Sequence, residues 1–348
     1  MKLVRQADVR VYLFTYRRHN LLARAVESLL QQTHANWVCE LHNDDPDDSY
    51  PEQLVACVND PRIKYVRHER NLGAVGSFNL AFRPVAERFI SILEDDNWWE
   101  ADFLAAMLRA MEEHPQVSVA WANMWLWREN ANSAWEKQGA IWPLADDGEA
   151  TLFEKPDPRG VCYALHSQGA MLVRNTRQTM IAVPVTLPVF AIEPVRERTL
   201  PGPFLLVRKP MANFAMTMGT ARGETADQNM QILVLLAQTF LAHAHVADEF
   251  YRRMWLACRG SLGHKHRALL VAAILAGRLG KVLKGAHLSD LALVVAWALR
   301  HPVRFRALFR AQERFPEVFA FLDAASRSRR PEWDLGDGTE RPTGGDAD

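Results

Sequence analysis

The stretch Ile90-Ser-Ile-Leu-Glu-Asp-Asp-Asn-Trp-Trp99 sets four residues suited to a buried strand directly before three consecutive acids, Glu94, Asp95 and Asp96. A buried strand cannot carry three carboxylates in its interior, because each ionised group would lose its hydration there. The triplet therefore belongs at the open end of the strand. In an open α/β sheet that end is where ligands bind. Carboxylates gathered there suit a hard divalent cation that keeps some waters and bridges to substrate phosphates. An acid-rich helix start is the other reading, since Asp and Asn cap helices.

The flanking segments alternate between strand and helix periods. Residues 9–15 are apolar and β-branched, a strand pattern. Asn20 is placed to cap a helix whose apolar positions Leu21, Leu22, Ala25, Val26, Leu29 and Leu30 follow helical spacing. Residues 37–42 and 63–68 read as strands, with a short helix over 51–58 between them. A turn at 71–76 leads into a helix to about residue 86. A helix over 101–113 stops before Pro115, and 117–127 reads as a long strand. This alternation predicts an α/β fold with a doubly wound, mostly parallel, Rossmann-like sheet. Three strand ends are polar: Thr15-Tyr16-Arg17-Arg18, Asn43-Asp44-Asp45 and Glu94-Asp95-Asp96. In a parallel sheet they share one edge. Taken singly, Asp44 also suits an Asx turn and the arginines a solvated loop.

The 348 residues are 49% hydrophobic, enough for a substantial core, and 41 basic residues balance 41 acidic ones. That balance gives no general attraction to nucleic acid. The four cysteines are scattered along the sequence without metal-type pairing and read as reduced thiols of a cytoplasmic protein. The N-terminus has no apolar signal core. The longest apolar runs, 268–277 and 291–299, are too short to span a bilayer.

In order along the chain, Val11-Tyr-Leu-Phe-Thr-Tyr-Arg17, Ser28-Leu-Leu-Gln-Gln-Thr33, Trp37-Val-Cys-Glu-Leu-His-Asn-Asp44, Asn71-Leu-Gly73 with Asn79, and Leu93-Glu-Asp-Asp-Asn-Trp98 form a set. This set resembles the family 2 glycosyltransferases, nucleotide-sugar enzymes of GT-A fold, from residue 9 to about 174 and more weakly to 223. Such enzymes usually read Asn/Asp-Asp-Gly-Ser after the second strand and Asp-x-Asp after the fourth. Here those places hold Asn43-Asp44-Asp45-Pro46 and Glu94-Asp95-Asp96.

The resemblance implies an inverting, metal-dependent glycosyltransferase moving a sugar from a nucleotide-diphosphate donor, a UDP-sugar by preference, to a hydroxyl acceptor. The acceptor would be a glycan, a lipid-linked sugar or another alcohol, in cell-surface or secreted glycan synthesis. Asp44 would accept a hydrogen bond from the base, and Thr15 and Arg17 would line the same pocket. Glu94 and Asp95 would hold the ribose side or water ligands, and Asp96 would be the main protein ligand of Mg²⁺ or Mn²⁺. The general base is expected from a downstream acid at a helix start. Glu193 in Phe190-Ala-Ile-Glu-Pro-Val-Arg-Glu-Arg198 has that place, with Glu197 as the alternative and a surface glutamate as the other reading.

On the acceptor side stand His166 and Gln168, in a segment resembling the strand before the acceptor site, and Trp98 and Trp99, suited to stacking on sugar or to core packing. Residues 129–154 read as a flexible loop beside the acceptor cleft. The expected domains are 1–223 (catalytic), 224–325 (a helical extension) and 326–348 (a disordered tail). Helices are expected at 230–241, 249–258, 265–283, 289–299 and 316–325. Between residues 251 and 330 basic residues outnumber acidic ones about four to one. Residues 300–310 interleave arginine with large apolar side chains. They suit peripheral contact with an anionic membrane at its inner face, or a packed extension with arginines in solvent. Two other functional classes stay open: a nucleotidyltransferase, whose usual glycine-rich loop and lysine are missing after the first strand, and a non-catalytic sugar- or membrane-binding relative.

Overall fold

The computed structural model describes residues 7–144, 150–218, 226–259 and 264–335. The chain divides into two compact units, residues 1–155 with 165–223, and residues 156–164 with 224–348.

The first unit opens with β1 (Val9–Thr15), α1 (His19–Leu30), β2 (Trp37–Asn43), α2 (Tyr50–Val58), β3 (Ile63–Arg67), α3 (Gly73–Leu80) and β4 (Phe89–Glu94). It continues with β5 (Trp98–Trp99), α4 (Phe103–Glu113), β6 (Val119–Glu129), β7 (Trp135–Ala140), β8 (Ala150–Phe153), β9 (Met171–Arg174), α5 (Ile192–Thr199) and β10 (Phe204–Met216). One sheet runs β3-β2-β1-β4-β9-β6-β10-β5, with β7 beside β6 and β8 beside β10. Strands β3, β2, β1 and β4 are parallel, as are β6 and β10; β9, β5, β7 and β8 pair antiparallel.

Alternation along each strand builds two cores, one per sheet face. Val9, Val11 and Leu13 join Leu22, Val26 and Leu29 of α1 and Phe103, Leu104 and Met107 of α4 in one of them. Tyr12, Phe14, Ile90 and Ile92 join Ala81, Phe82 and Trp121 in the other. The sheet is thus covered on both faces, as the strand–helix alternation predicts.

Local departures have local causes. Asn20 lies inside α1, whose cap position is Arg18. Helix α3 ends at Leu80, short of residue 86, where Arg83-Pro84 bars its continuation. The expected loop over 129–154 carries two strands instead. Lys137 sits over the Trp125 ring at 3.3 Å as β7 folds back on β6, and Phe153 of β8 is buried against Trp121. Residues 145–149 lie outside the described residues.

The second unit comprises α6 (Ala226–His243), β11 (His245–Val246), α7 (Asp248–Ala257), α8 (His264–Leu275), α9 (Leu279–Lys284), α10 (Leu288–Arg300), α11 (Pro302–Phe309), α12 (Ala311–Arg314), α13 (Pro316–Arg329) and β12 (Asp334–Leu335). The helix expected over 265–283 is broken between α8 and α9, where Gly277 adopts φ +66°. Order continues past residue 326: α13 runs to Arg329, and Trp333, 3% exposed, packs on Phe240 of α6 at 5.1 Å between ring centroids. The rest of the expected tail, 336–348, lies outside the described residues. Cys162 and Cys258, distant in sequence, are buried free thiols that hydrogen-bond each other. Among the described residues no helix is long and apolar enough to cross a membrane.

Candidate functional site

In the sheet order, the chain moves from β1 outward through β2 and β3, then returns to place β4 on the other side of β1. Such a reversal opens a crevice at the carboxyl ends of the two central strands. Phe14 pairs in register with Glu94, so Thr15-Tyr16-Arg17-Arg18 and Glu94-Asp95-Asp96 leave the sheet side by side.

The three acids differ in environment. Asp95, 7% exposed, accepts from the Tyr16 amide at 3.2 Å and from the Thr15 hydroxyl; burial nevertheless pushes its carboxyl up to about 6. Asp96 is paired with the Arg18 guanidinium, which also lies 3.5 Å from Asp95 Oδ1. Glu94 accepts from Asn97 Nδ2 at 2.6 Å, and burial, then the charges of Asp96, Glu193 and Asp95, hold its carboxyl well above the usual range. Arg24 of α1 donates to the Asp96 carbonyl at 2.8 Å and stacks over Trp98 at 3.8 Å and Trp135 at 4.8 Å. The cations Arg18 and Arg24 bound the acid cluster.

Gly169 touches the same cluster. A Cβ there would lie 2.6 Å from Glu94 Oε2 and 3.0 Å from Asn97 Nδ2. Gly169→Ala should therefore shift the Glu94 carboxylate, while the fold persists because a flexible side-chain end gives way. Thermal melts of variant and wild type that agree within about 1 kcal/mol would bear out the persistence of the fold.

At the end of β2, Asp44 is 6% exposed. Its Oδ1 accepts from the Leu72 amide at 2.7 Å and meets His68 Nδ1 at 2.8 Å. His68 Nε2 lies 2.9 Å from His42 Nδ1, and His42 Nε2 lies 3.2 Å from Glu40. Arg10 then joins Glu40 to Glu87, at 2.6 and 2.9 Å. Burial first, with the His68 charge, pulls His42 down to about 4 against its bond to Glu40. Arg17, at φ +56°, turns away from the acid triplet to pair with Asp45 at 2.5 Å.

Glu193 opens α5 and accepts from the Gln168 amide at 2.7 Å. The turn Gln168–Gly169 thus holds Glu193 at one residue and abuts Glu94 at the next. Burial raises the Glu193 carboxyl above its usual range, against the opposing influence of His166 and that amide bond. Glu197 is 3% exposed and accepts from the Leu165 amide at 2.7 Å, the His166 amide at 3.3 Å and His166 Nδ1 at 2.7 Å. Burial would raise its carboxyl, but His166 and Lys155 together pull it below the usual range. Its Oε2 is engaged inside the protein three times over, so it braces Leu165 and His166.

The acceptor-side expectations divide. His166, with no exposed side-chain surface, and Gln168, 2% exposed, are buried. Trp99 is 3% exposed, donates to the Gly169 carbonyl at 2.9 Å and stacks on Phe103 at 4.3 Å, so it belongs to the core. Trp98 remains partly exposed beside Trp127 and Trp135. Roles for Arg24, Trp135 and Gly169 escape a reading by sequence pattern, whereas Arg18 lies in the polar strand end already singled out. Arg24 alone leaves a signal, a cation amid the apolar positions of α1.

The family model for "Glycosyl transferase family 2" matches residues 11–143. The putative colanic acid biosynthesis glycosyl transferase WcaA of Escherichia coli K12 is 30% identical over 117 residues, 33% of this chain and 42% of that protein. The E. coli UDP-Glc:alpha-D-GlcNAc-diphosphoundecaprenol beta-1,3-glucosyltransferase WfgD is 29% identical over 115 residues, 33% of this chain and 45% of that one. The chain thus covers less than half of either relative. Among solved structures, S. aureus TarS 1-349 in complex with UDP-GlcNAc superposes with a TM-score of 0.57 over 92% of each chain, at 12% identity. At that identity the likeness is one of fold.

Proposed function

We propose, from the match of residues 11–143 to the glycosyl transferase family 2 model and from the GT-A fold of the chain, that this protein is an inverting glycosyltransferase. It moves a sugar from a nucleotide-diphosphate donor to a hydroxyl acceptor in glycan synthesis. The observation that carries the reading is the turn at Gln168–Gly169, which brings a downstream carboxylate, Glu193, into the electrostatic reach of the strand-end acids.

In this reading Asp44 accepts the imide N–H of the base through Oδ2, its Oδ1 being held by Leu72 and His68. A uracil nucleotide fits that acceptor, in line with the UDP-sugar named for WfgD. Thr15 and Tyr16 fix Asp95 beside the ribose, and Glu94 lines the same side. Arg17 and Asp45 close the rim of the nucleotide pocket. Glu193 takes the proton of the acceptor hydroxyl as its oxygen bonds to the anomeric carbon. The bond from that carbon to the diphosphate breaks, and the nucleoside diphosphate leaves with the electron pair. The acceptor is a glycan or a lipid-linked sugar, the latter by analogy with the diphosphoundecaprenol substrate in the WfgD name. Trp98 offers it a ring face.

Among the described residues no three His, Cys, Asp or Glu side chains form a ready-made metal site. Mg²⁺ does not require one: it is commonly held by one or two carboxylates plus substrate phosphates. Asp96, at the centre of mutually repelling acids, suits that donor set and would hold Mg²⁺ or Mn²⁺. Bound there, the ion supplies Lewis-acid stabilisation of the departing diphosphate.

Incubation with a panel of nucleotide sugars, with and without Mn²⁺, followed by product analysis, tests the function. Transfer or slow hydrolysis of one donor is expected, with that nucleotide diphosphate raising Tm. At a hundredfold excess over Kd the stabilisation is about 2.7 kcal/mol. A protein that neither binds a nucleotide diphosphate nor cleaves a donor would be a non-catalytic relative. Asp44→Ala should weaken nucleotide-diphosphate binding by about 1.5–3 kcal/mol, the range for a hydrogen bond to a charged group. Unchanged affinity by calorimetry would remove Asp44 from the pocket.

A further inference from the structure

Helix α10 is turned the wrong way for an ordinary surface helix, which hides its apolar stripe and shows its charges. Its one acid, Asp290, faces inward, accepting from Trp255 Nε1 at 2.9 Å and Arg259 Nε at 3.2 Å. Its outer face is aliphatic: Leu288 is 82% exposed, Val295 57% and Leu299 78%, with exposed Ala292 between them. The spacing of four, three and four residues puts them on a single stripe. Arg300 is exposed at the helix end.

Helix α11 extends the face with charge. Its large apolar residues turn in, Leu308 being 1% exposed and Phe305 and Phe309 partly buried. Outward at helical spacing stand Val303, 78% exposed, Arg306 and Arg310. Arg304 lies off that face, in an ion pair with Asp227 at 2.6 Å. Trp297 pins the two helices together, tilted against His301 at 5.4 Å and edge-on to Phe305 at 6.5 Å between ring centroids.

We infer that the outer face of α10 and α11 is a docking surface for an anionic lipid bilayer. The aliphatic stripe enters the headgroup–acyl boundary, and Arg300, Arg306 and Arg310 meet lipid phosphates. Charge decides between this occupant and a second copy of the chain. This face carries three arginines and no acid, so a second copy docked on it would bury cations without partners, whereas an anionic leaflet offers opposite charge to all three. Apolar stripe and cationic flank together match the pattern of an interfacial helix pair.

The test is sedimentation of the full chain with vesicles of phosphatidylcholine alone, or of phosphatidylcholine with phosphatidylglycerol, at low and high salt. Binding to the anionic vesicles at low salt and release at high salt are expected, since the attraction is screened. Arg300→Glu/Arg306→Glu/Arg310→Glu should lower the bound fraction about tenfold or more. Val295→Asp/Leu299→Asp should weaken binding even with every arginine in place. Both variants alter exposed side chains, and matching thermal melts establish that they fold. Equal binding of wild type and the Val295→Asp/Leu299→Asp variant overturns the proposal. So does absence of binding to anionic vesicles, or a wild-type dimer that this variant converts to a monomer without changing sedimentation.

Discussion

Glu193→Gln should lower kcat by about 10²–10⁴-fold while nucleotide-sugar affinity stays near wild type, because proton transfer to a positioned base is an interaction of the transition state. The amide keeps the size of the side chain and still accepts from the Gln168 N–H, so the turn beside Glu94 is preserved. The pH dependence separates this role from a structural one. Burial raises the Glu193 carboxyl, and only its ionised form accepts a proton. Turnover should therefore climb with pH through a value above the ordinary glutamate range of about 4.3, and Glu193→Gln should lack that limb. Stability runs in the opposite direction. An acid whose folded pKa is raised holds its proton where the unfolded chain has lost it, so its contribution falls as pH rises from the unfolded to the folded value. Glu197, Glu94 and His166 are the charged or titratable groups acting on it nearby. Glu193→Gln should consequently melt higher than wild type at neutral pH, and the difference should shrink in acid. A variant that melts higher but turns over normally would leave Glu193 a buried acid with no part in the chemistry.

Asp96→Ala should reduce turnover with Mn²⁺ by roughly 10²-fold or more, since a metal held there is worth several kcal/mol at the departing diphosphate and each 1.36 kcal/mol is tenfold in rate. The fold should persist. Arg18 loses its partner at Asp96 but remains 3.5 Å from Asp95, and the Asp96 carbonyl still receives Arg24. Titration with Mn²⁺ is the direct measurement: the half-saturating concentration should rise together with the loss of rate. Wild-type turnover and an unchanged Mn²⁺ response would move the metal to another residue or out of the mechanism.

Strand ends are where this chain is most legible. Val9–Thr15 matches its expected bounds residue for residue, because a β-branched apolar run flanked by polar residues has one natural reading. The placement of Asp44 and Glu94–Asp96 follows from the same logic, with acids appearing where burial stops. The polar segment after β6 has no such contrast. Strands β7 and β8 are held by pairing to β6 and β10 and by Trp125, Trp127 and Trp121, partners that no local pattern discloses. The adjacent tryptophans make the limit plain. Trp98 and Trp99 have the same chemistry, and only the pairing of their two-residue strand with β10 sends Trp99 to Phe103 and Trp98 to Arg24. His166 is similar: its burial depends on Glu197, 31 residues away. The inversion of α10 is not periodic information at all. Spacing reveals an apolar stripe, but which side of the helix meets protein is decided by Asp290 reaching Trp255.

The link from Glu40 through His42 and His68 to Asp44 has a consequence in proton number. Each of its three contacts needs one shared proton, and two neutral imidazoles bring only two. Burial pulls His42 down to about 4, so its ring brings a single proton to share between Glu40 and His68. In the proposed reading, the carboxylate that meets the nucleobase has Oδ1 engaged from behind by His68 Nδ1, leaving its other oxygen as a directional acceptor. Such an acceptor favours a base with an N–H to give and gains little from general positive charge. Nitrogen-15 NMR should find the His42 ring neutral at pH 7; an imidazolium at His42 would mean that burial does not set its state in solution.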